Sequence, residues 1–305
     1  MKITQIVIEL LTNCNFVCPY CRDTSGEKKA LSLNEVKEII NCFKKFGVRK
    51  VQLDGGEPFL YKDITQLIEY ITEQGLEAGI YTNASVITSE IAKSISKYSN
   101  IKLCVTIHPL NPEKQIQATI NGIRNLTKAG IYPQLVYVIN SISYMKLPNI
   151  LNKIPAGCYT FLLNPIVQSG RAFDNGIKPL DTEQRKAFKD IVDKAKETFK
   201  NINFIDNVSV ENENLMIEKI QMNQEEEFAL HINTDGYVLP FFSADNSTAI
   251  GNINNLAELE KHLFAPETMT YLEHSKLAMK KRIQGTQESK QRKIGRDEII
   301  SLIHV

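Results

Sequence analysis

The chain has 305 residues, 36 Lys and Arg against 35 Asp and Glu, 43% hydrophobic residues and 6 cysteines. That composition excludes wholesale disorder. A net charge of +1 gives no long-range attraction to nucleic acid or an anionic membrane, and no apolar run is long enough for a membrane-spanning helix. The length suits about two domains, or one large α/β domain with an extension. The N-terminal MKITQIVIELL carries Gln5 and Glu9 and has no small-residue cleavage site, so it reads as a strand rather than a signal peptide. A cytoplasmic, reducing location is expected, where cysteines bind metal or react more often than they pair.

In chain order, strand and helix alternate. A strand over 3–11 precedes a helix opened by a Ser32–Glu35 capping box, with Val36, Ile39, Ile40 and Phe43 on one face and Gly47 as its stop. A short strand at 51–53 leads to a helix that Asp63 and Gln66 open and Gly75 ends. Strands follow at 78–83, 101–107, 134–139 and 158–163, with helices near 88–98, through Ile116–Ile123 and at 145–152. This order predicts a parallel sheet, either a partial (βα)6 TIM barrel or a doubly wound sheet. In both, ligands bind at the C-terminal ends of the strands. After Gly170 the character changes. A helix capped by Asp181 and Gln184, strands at 202–210, 228–232 and 237–242, and the turn Asn233-Thr234-Asp235-Gly236 make a C-terminal α+β extension. The expected domains are 1–175 and 176–305. The basic stretch over 276–296 reads as a solvated helix and tail, and Glu225, Glu226 and Glu227 as a solvated run.

Three cysteines crowd into the loop after the first strand: Cys14, Cys18 and Cys21, a C-x3-C-x2-C motif. A structural zinc site wants four ligands, and no fourth Cys or His lies nearby. On a [4Fe–4S] cluster, three thiolates leave one iron open to a substrate or cofactor.

With Tyr20 just before its last cysteine, this motif resembles the signature of the radical S-adenosylmethionine (SAM) superfamily. Three further segments, in the same order, strengthen the likeness: Gly55-Gly56-Glu57-Pro58 after the second strand, Thr82-Asn83 ending the third, and Gly170-Arg171-Ala172 after the sixth. The resemblance covers about residues 3–175 and implies a partial barrel, one [4Fe–4S] cluster on Cys14, Cys18 and Cys21, and SAM on the open iron. Reductive cleavage would give a 5′-deoxyadenosyl radical that takes hydrogen from a substrate. It further implies backbone approach of the methionine moiety at Gly55 and Gly56, with Glu57 or neighbouring carbonyls accepting from its ammonium group. Arg171 would pair with its carboxylate, Tyr20 would lie along the adenine, Thr82 and Asn83 would line the site, and Thr106 and Asn140 would offer polar groups at the same rim. A flavodoxin- or ferredoxin-type electron donor is implied as well.

Cys42 reads as core and Cys158 opens the sixth strand. Cys104 shares strand parity with Thr106 and is a candidate hydrogen donor to a substrate radical. The segment from His231 to Phe241, with Gly251-Asn252-Ile253, resembles the SPASM or twitch pattern, yet Phe241 stands where that pattern has a cysteine. One cluster without an auxiliary partner is therefore expected. The reading is a radical SAM enzyme tailoring a peptide or small natural product by epimerisation, cross-linking or dehydrogenation. The alternatives are a nucleotide substrate, as in the molybdenum-cofactor cyclase or viperin-like enzymes, or a non-catalytic iron–sulfur or zinc protein.

Overall fold

The polypeptide folds around one continuous sheet in a computed structural model, which describes residues 2–22, 27–166, 169–208, 227–240, 246–265, 268 and 272. Ten strands lie side by side: β1 (Lys2–Glu9), β2 (Lys50–Asp54), β3 (Glu77–Thr82), β4 (Ile101–Ile107), β5 (Gln134–Ile139), β6 (Tyr159–Pro165), β7 (Ile202–Asp206), β8 (Glu227–Ile232), β9 (Tyr237–Pro240) and β10 (Gly251–Asn252). Their spatial order is β10-β9-β8-β1-β2-β3-β4-β5-β6-β7. From β8 through β1 to β7 every pairing is parallel, and only β9 and β10 run antiparallel. The sheet is thus unbroken across the expected division at 175/176, because β7 extends the β6 edge and β8 pairs with β1.

The crossover helices are α1 (Leu33–Lys44), α2 (Ile64–Glu73), α3 (Ser89–Ile95), α4 (Glu113–Lys128), α5 (Leu147–Leu151), α6 (Arg171–Asp174) and α7 (Thr182–Thr198); α8 (Leu256–Phe264) follows β10. The capping boxes form as the sequence implies, Ser32 with Glu35 and Asp181 with Gln184. Asp63 does precede α2, but its side chain makes no cap hydrogen bond. Its backbone has left the extended region that lets an N-cap oxygen reach the first turn.

Strand alternation splits the sheet into two environments. Ile6, Ile8, Val51, Leu53, Ile80, Val105, Leu135, Tyr137 and Phe161 are all fully buried and share one core with the apolar faces of α1, α2 and α4. The opposite, inner face carries polar side chains, Gln5, Glu9, Lys50, Gln52, Asp54, Tyr81, Lys102, Cys104, Thr106 and Asn164, among the apolar Val7, Val136, Val138 and Leu162. A largely apolar face opposite one rich in polar groups is the pattern of a partial barrel whose helices cover the outside and whose inside meets a ligand. The fold is therefore the mixed α/β partial barrel expected.

The β8–β9 hairpin forms at Asn233–Gly236, with Gly236 at φ +80° and its N–H donating to the Asn233 carbonyl. The Asn233 side-chain oxygen accepts from the N–H groups of Asp235 and Tyr237. Phe241, Glu225, Glu226 and the basic stretch over 276–296 lie outside the described residues. Among the described residues no helix is long and apolar enough to cross a membrane.

Candidate active site

Every sequence motif but the C-terminal one converges on the loops at the C-terminal ends of β1 to β6. The loop after β1 carries Cys14 and Cys21 half-buried and Cys18 buried, all free thiols. Burial pushes the Cys14 thiol up and that of Cys18 to about 12; Glu57 and Cys21 add to the rise at Cys14, and Cys21 and Cys14 to that at Cys18. Arg171 opposes the rise in both. Among the described residues no three His, Cys, Asp or Glu converge tightly enough to grip a single metal ion.

The loop takes its shape from a distant segment. Arg171 donates its backbone N–H to the Cys21 carbonyl and its Nε to the Cys18 carbonyl, both at 3.0 Å. Asn175 Nδ2 reaches the Pro19 carbonyl at 2.8 Å. Gly170 has φ +51°, and a Cβ there would sit 2.4 Å from the Arg22 carbonyl oxygen. Only glycine lets α6 press this closely on the cysteine loop.

Gly55 and Gly56 serve a similar end. Gly56 N–H donates to the Leu11 carbonyl at 2.7 Å and Glu57 N–H to the Asn13 carbonyl at 3.0 Å. A Cβ on Gly55 would meet the Leu11 oxygen at 2.4 Å, and one on Gly56 the Asn13 oxygen at 2.1 Å. The glycines are thus already required for the loop after β2 to dock on the cysteine loop, before any ligand is considered.

Glu57 is fully buried. Its Oε1 accepts from Thr82 Oγ1 at 2.6 Å and Phe59 N–H at 3.1 Å, and its Oε2 from Asn83 N–H at 2.8 Å. Burial raises its carboxyl pKa against the opposing pull of these hydrogen bonds. Both oxygens are therefore engaged within the protein, where the sequence reading offered them to a bound ammonium. Thr82 passes the connection on by accepting from Ala84 N–H. Asn83 Nδ2 lies 3.1 Å from Asn15 Oδ1 and 3.9 Å from Cys14 Sγ.

Tyr20 packs on His108, hydroxyl to Nδ1 at 3.0 Å and ring centroids 5.7 Å apart, with Phe16 edge-on to the same imidazole. Burial lowers His108 to about 4, so the ring is neutral near pH 7. Asn140 sits at the end of β5 as expected, but it is fully buried, and its Oδ1 accepts from Ile142 and Ser143 N–H, both at 3.0 Å. This local Asx turn turns the amide into its own loop rather than to the rim. Thr106 and Cys104 both lie on the polar inner face of β4, Thr106 half-buried and Cys104 buried. Burial holds the Cys104 thiol at about 12, with Asp54 adding to the rise and Lys50 opposing it.

The sequence reading missed two residues, His108 and Asn111, both in the β4–α4 loop His108-Pro109-Leu110-Asn111-Pro112. Asn111 Nδ2 donates to Cys18 Sγ at 3.2 Å. The available signal was a polar residue set between two prolines directly after a barrel strand.

Comparison with known proteins agrees with this geometry. Residues 8–149 match the radical SAM superfamily. A probable GTP 3′,8-cyclase of Methanocaldococcus jannaschii is 24% identical over 81% of this chain and 87% of its own length. The GTP 3′,8-cyclase of Aquifex aeolicus is 32% identical over 39% of each chain, well under two thirds of that relative. Among solved structures, Streptococcus suis SuiB bound to S-adenosylmethionine superposes with a TM-score of 0.68 at 19% identity, covering 88% of this chain and 67% of SuiB. SuiB has also been crystallised with its precursor peptide SuiA. The cysteine loop, the glycine-rich turn after β2 and the barrel that carries them agree with this match, and residues 8–149 form a radical SAM domain.

Proposed function

We propose that Cys14, Cys18 and Cys21 hold one [4Fe–4S] cluster and that the enzyme removes a hydrogen atom from a peptide or small natural product lying against the inner face of the sheet. The observation that carries this reading is the cysteine loop, fixed by Arg171 and Asn175 at the strand ends directly beside a polar face of the barrel. The residues suit the group. Cys14, Cys18 and Cys21 lie on one loop, and the charges of Cys14 and Cys21 both act on Cys18, which suits a cluster that takes three thiolates and leaves one iron open.

The superfamily uses a [4Fe–4S] cluster with SAM, and together they supply, when bound, a hydrogen-atom abstractor generated by reductive cleavage of SAM. The chain's own residues divide the remaining work. Gly55 and Gly56 present backbone carbonyls to the ammonium group, because Glu57 is occupied in holding Thr82 and Asn83. Arg171 keeps Nε on the loop and offers its other N–H groups to the carboxylate. Tyr20 follows the adenine with its backbone, while His108 fixes its ring. Thr106 meets the ribose, and Asn140 shapes the loop after β5. Cys104, protonated at physiological pH, is the candidate donor of a hydrogen atom to the substrate radical. Glu9, Lys50, Asp54 and Lys102 on the inner face favour a polar substrate. The SPASM- or twitch-like segment around His231 carries no auxiliary cluster in this reading, for the sequence has no cysteine after Cys158. A flavodoxin- or ferredoxin-type protein delivers the electron.

A nucleotide substrate is the second reading, favoured by the cyclase relative matched over most of its length. Anaerobic reconstitution tests the first level: about four irons per chain and 5′-deoxyadenosine from SAM with dithionite, both lost when Cys14, Cys18 and Cys21 are changed to Ala. Tightly bound zinc without SAM cleavage overturns the reading, and iron persisting in the triple variant overturns the single cluster. Adding GTP tests the second level: stimulated 5′-deoxyadenosine formation with conversion of GTP replaces the peptide reading by the nucleotide one.

A further inference from the structure

The β4–α4 loop carries a polar group with no part in the reading above. Asn111 is 7% exposed, and its backbone N–H closes a turn on the His108 carbonyl at 3.1 Å. Pro112 follows it and biases its backbone to an extended conformation. The Tyr20–His108 contact pins the other end of the loop to the cysteine segment. The side chain is therefore held from both directions, with Nδ2 3.2 Å from Cys18 Sγ. Its Oδ1, by contrast, is buried with no partner. A buried carbonyl oxygen left without a donor costs stability. The fold bears that cost while keeping the amide donor on a sulfur.

From this geometry we propose that Asn111 is a positioning residue that sets the reduction potential of the cluster by donating an N–H···S hydrogen bond to Cys18. The inference rests on the assignment of Cys18 as a cluster ligand. As a ligand, Cys18 is a thiolate, and a hydrogen bond to a charged acceptor is stronger than one to a neutral thiol. One-electron reduction adds negative charge to the cluster and its sulfurs. A donor at this position therefore favours the reduced state and raises the potential, since hydrogen bonds to sulfur are among the determinants of cluster potential. The arrangement is asymmetric. Cys14 receives the Phe16 backbone N–H at 3.4 Å from within its own loop and only a long contact, 3.9 Å, from Asn83 at the end of β3. Cys18 receives its donor from 93 residues away, across the barrel mouth. Asn111 thus reports the position of the β4–α4 loop directly to the cluster, whereas a backbone donor within the motif does not.

The test is an EPR-monitored redox titration of the reconstituted full-length protein, comparing parent, Asn111→Leu and Asn111→Asp. Leu removes the donor and the orphan oxygen together. Asp keeps the shape but turns an acceptor towards the sulfur. The expected result is a lower midpoint potential in Asn111→Leu by about 59 mV, a tenfold shift in a one-electron equilibrium, and at least as large a shift in Asn111→Asp, with iron content and melting temperature near parental values in one or both. A merely structural role would lower melting temperature or iron content and leave the potential of the loaded fraction unchanged, and that outcome overturns the proposal. Complete loss of the cluster in both variants, with parental melting of the apo-protein, also overturns it, because Asn111 would then retain the cluster rather than tune it. These outcomes separate from failure of the ligand assignment, which appears as iron persisting after Cys18→Ala.

Discussion

Removing the Glu57 carboxylate tests most directly how the site is held together. Glu57→Ala strands two backbone N–H groups, those of Phe59 and Asn83, and the Thr82 hydroxyl, all inside the protein. At about 1–3 kcal/mol for each stranded donor the loss approaches 3–9 kcal/mol, against the 5–15 kcal/mol that typically holds a domain folded. For a chain of this size a kcal/mol corresponds to roughly 2 °C in Tm, so a fall on the order of 10 °C is expected in the apo-protein. Glu57→Gln keeps one carbonyl oxygen for two donors and turns an NH2 group on the third, so it should cost about 1–2 kcal/mol. Part of that loss is returned. Burial holds the Glu57 pKa above its ordinary 4.5. A raised folded-state pKa means that stability is greatest below pH 4.5 and declines as pH rises through the folded value. The charge therefore opposes folding at neutral pH, and the glutamine does not carry it. Thermal melting of parent, Glu57→Gln and Glu57→Ala at pH 4.5 and pH 7.5 measures both effects. Equal melting temperatures for the two variants, or a Glu57→Ala loss under about 1 kcal/mol, would refute the claim that three buried donors depend on this carboxylate.

Gly56→Ala places a methyl group 2.1 Å from the Asn13 carbonyl oxygen, with backbone on both sides, so iron incorporation should collapse. Gly47→Ala, at φ +90° with nothing within 4 Å, should cost only about 1–2 kcal/mol and leave iron content intact. His108, depressed to about 4 by burial, contributes stability that is present above pH 6.5 and lost as pH falls towards 4, by up to about 3 kcal/mol. His108→Phe should flatten the melting profile of the apo-protein across that window, and an unchanged slope would assign the acid lability to other groups. Cys104→Ser should still cleave SAM. If Cys104 donates the hydrogen atom, 5′-deoxyadenosine continues to form while the hydrogen-quenched product disappears. Product formation at the parental ratio would assign the donor role elsewhere.

Local rules read from the sequence survive well where the structure is decided locally. Ser32 and Asp181 cap their helices as spacing alone implies. Strand parity correctly put Cys104 and Thr106 on one face, because a pleated strand admits only two directions. The cysteine motif was legible because its three residues lie on a single loop. What was not legible depends on partners far apart in the chain. Nothing in INFID marks β7 as a parallel neighbour of β6, and nothing in FALHI shows that β8 pairs with β1 as well as with β9. Glu57 read as a ligand contact because a glutamate beside two glycines says nothing of the three donors that meet it in space. Asn140 read as a rim group because the Asx turn that turns its amide away is set by the following loop. Asn111 was invisible for the same reason, since its partner is Cys18 across the mouth of the barrel.

The hold of α6 on the cysteine loop also sets an order of events during synthesis. All three cysteines are made well before α6, yet two of the loop carbonyls are held by Arg171 and one by Asn175. At about 5–20 residues per second, 8–30 s pass before those partners exist. Through that interval the cysteine loop lacks the three hydrogen bonds that α6 and Asn175 give it. Under the proposed cluster assignment, loading the three thiols is a task that follows synthesis of α6, and any factor that delivers the cluster has to wait for α6 or stand in for it.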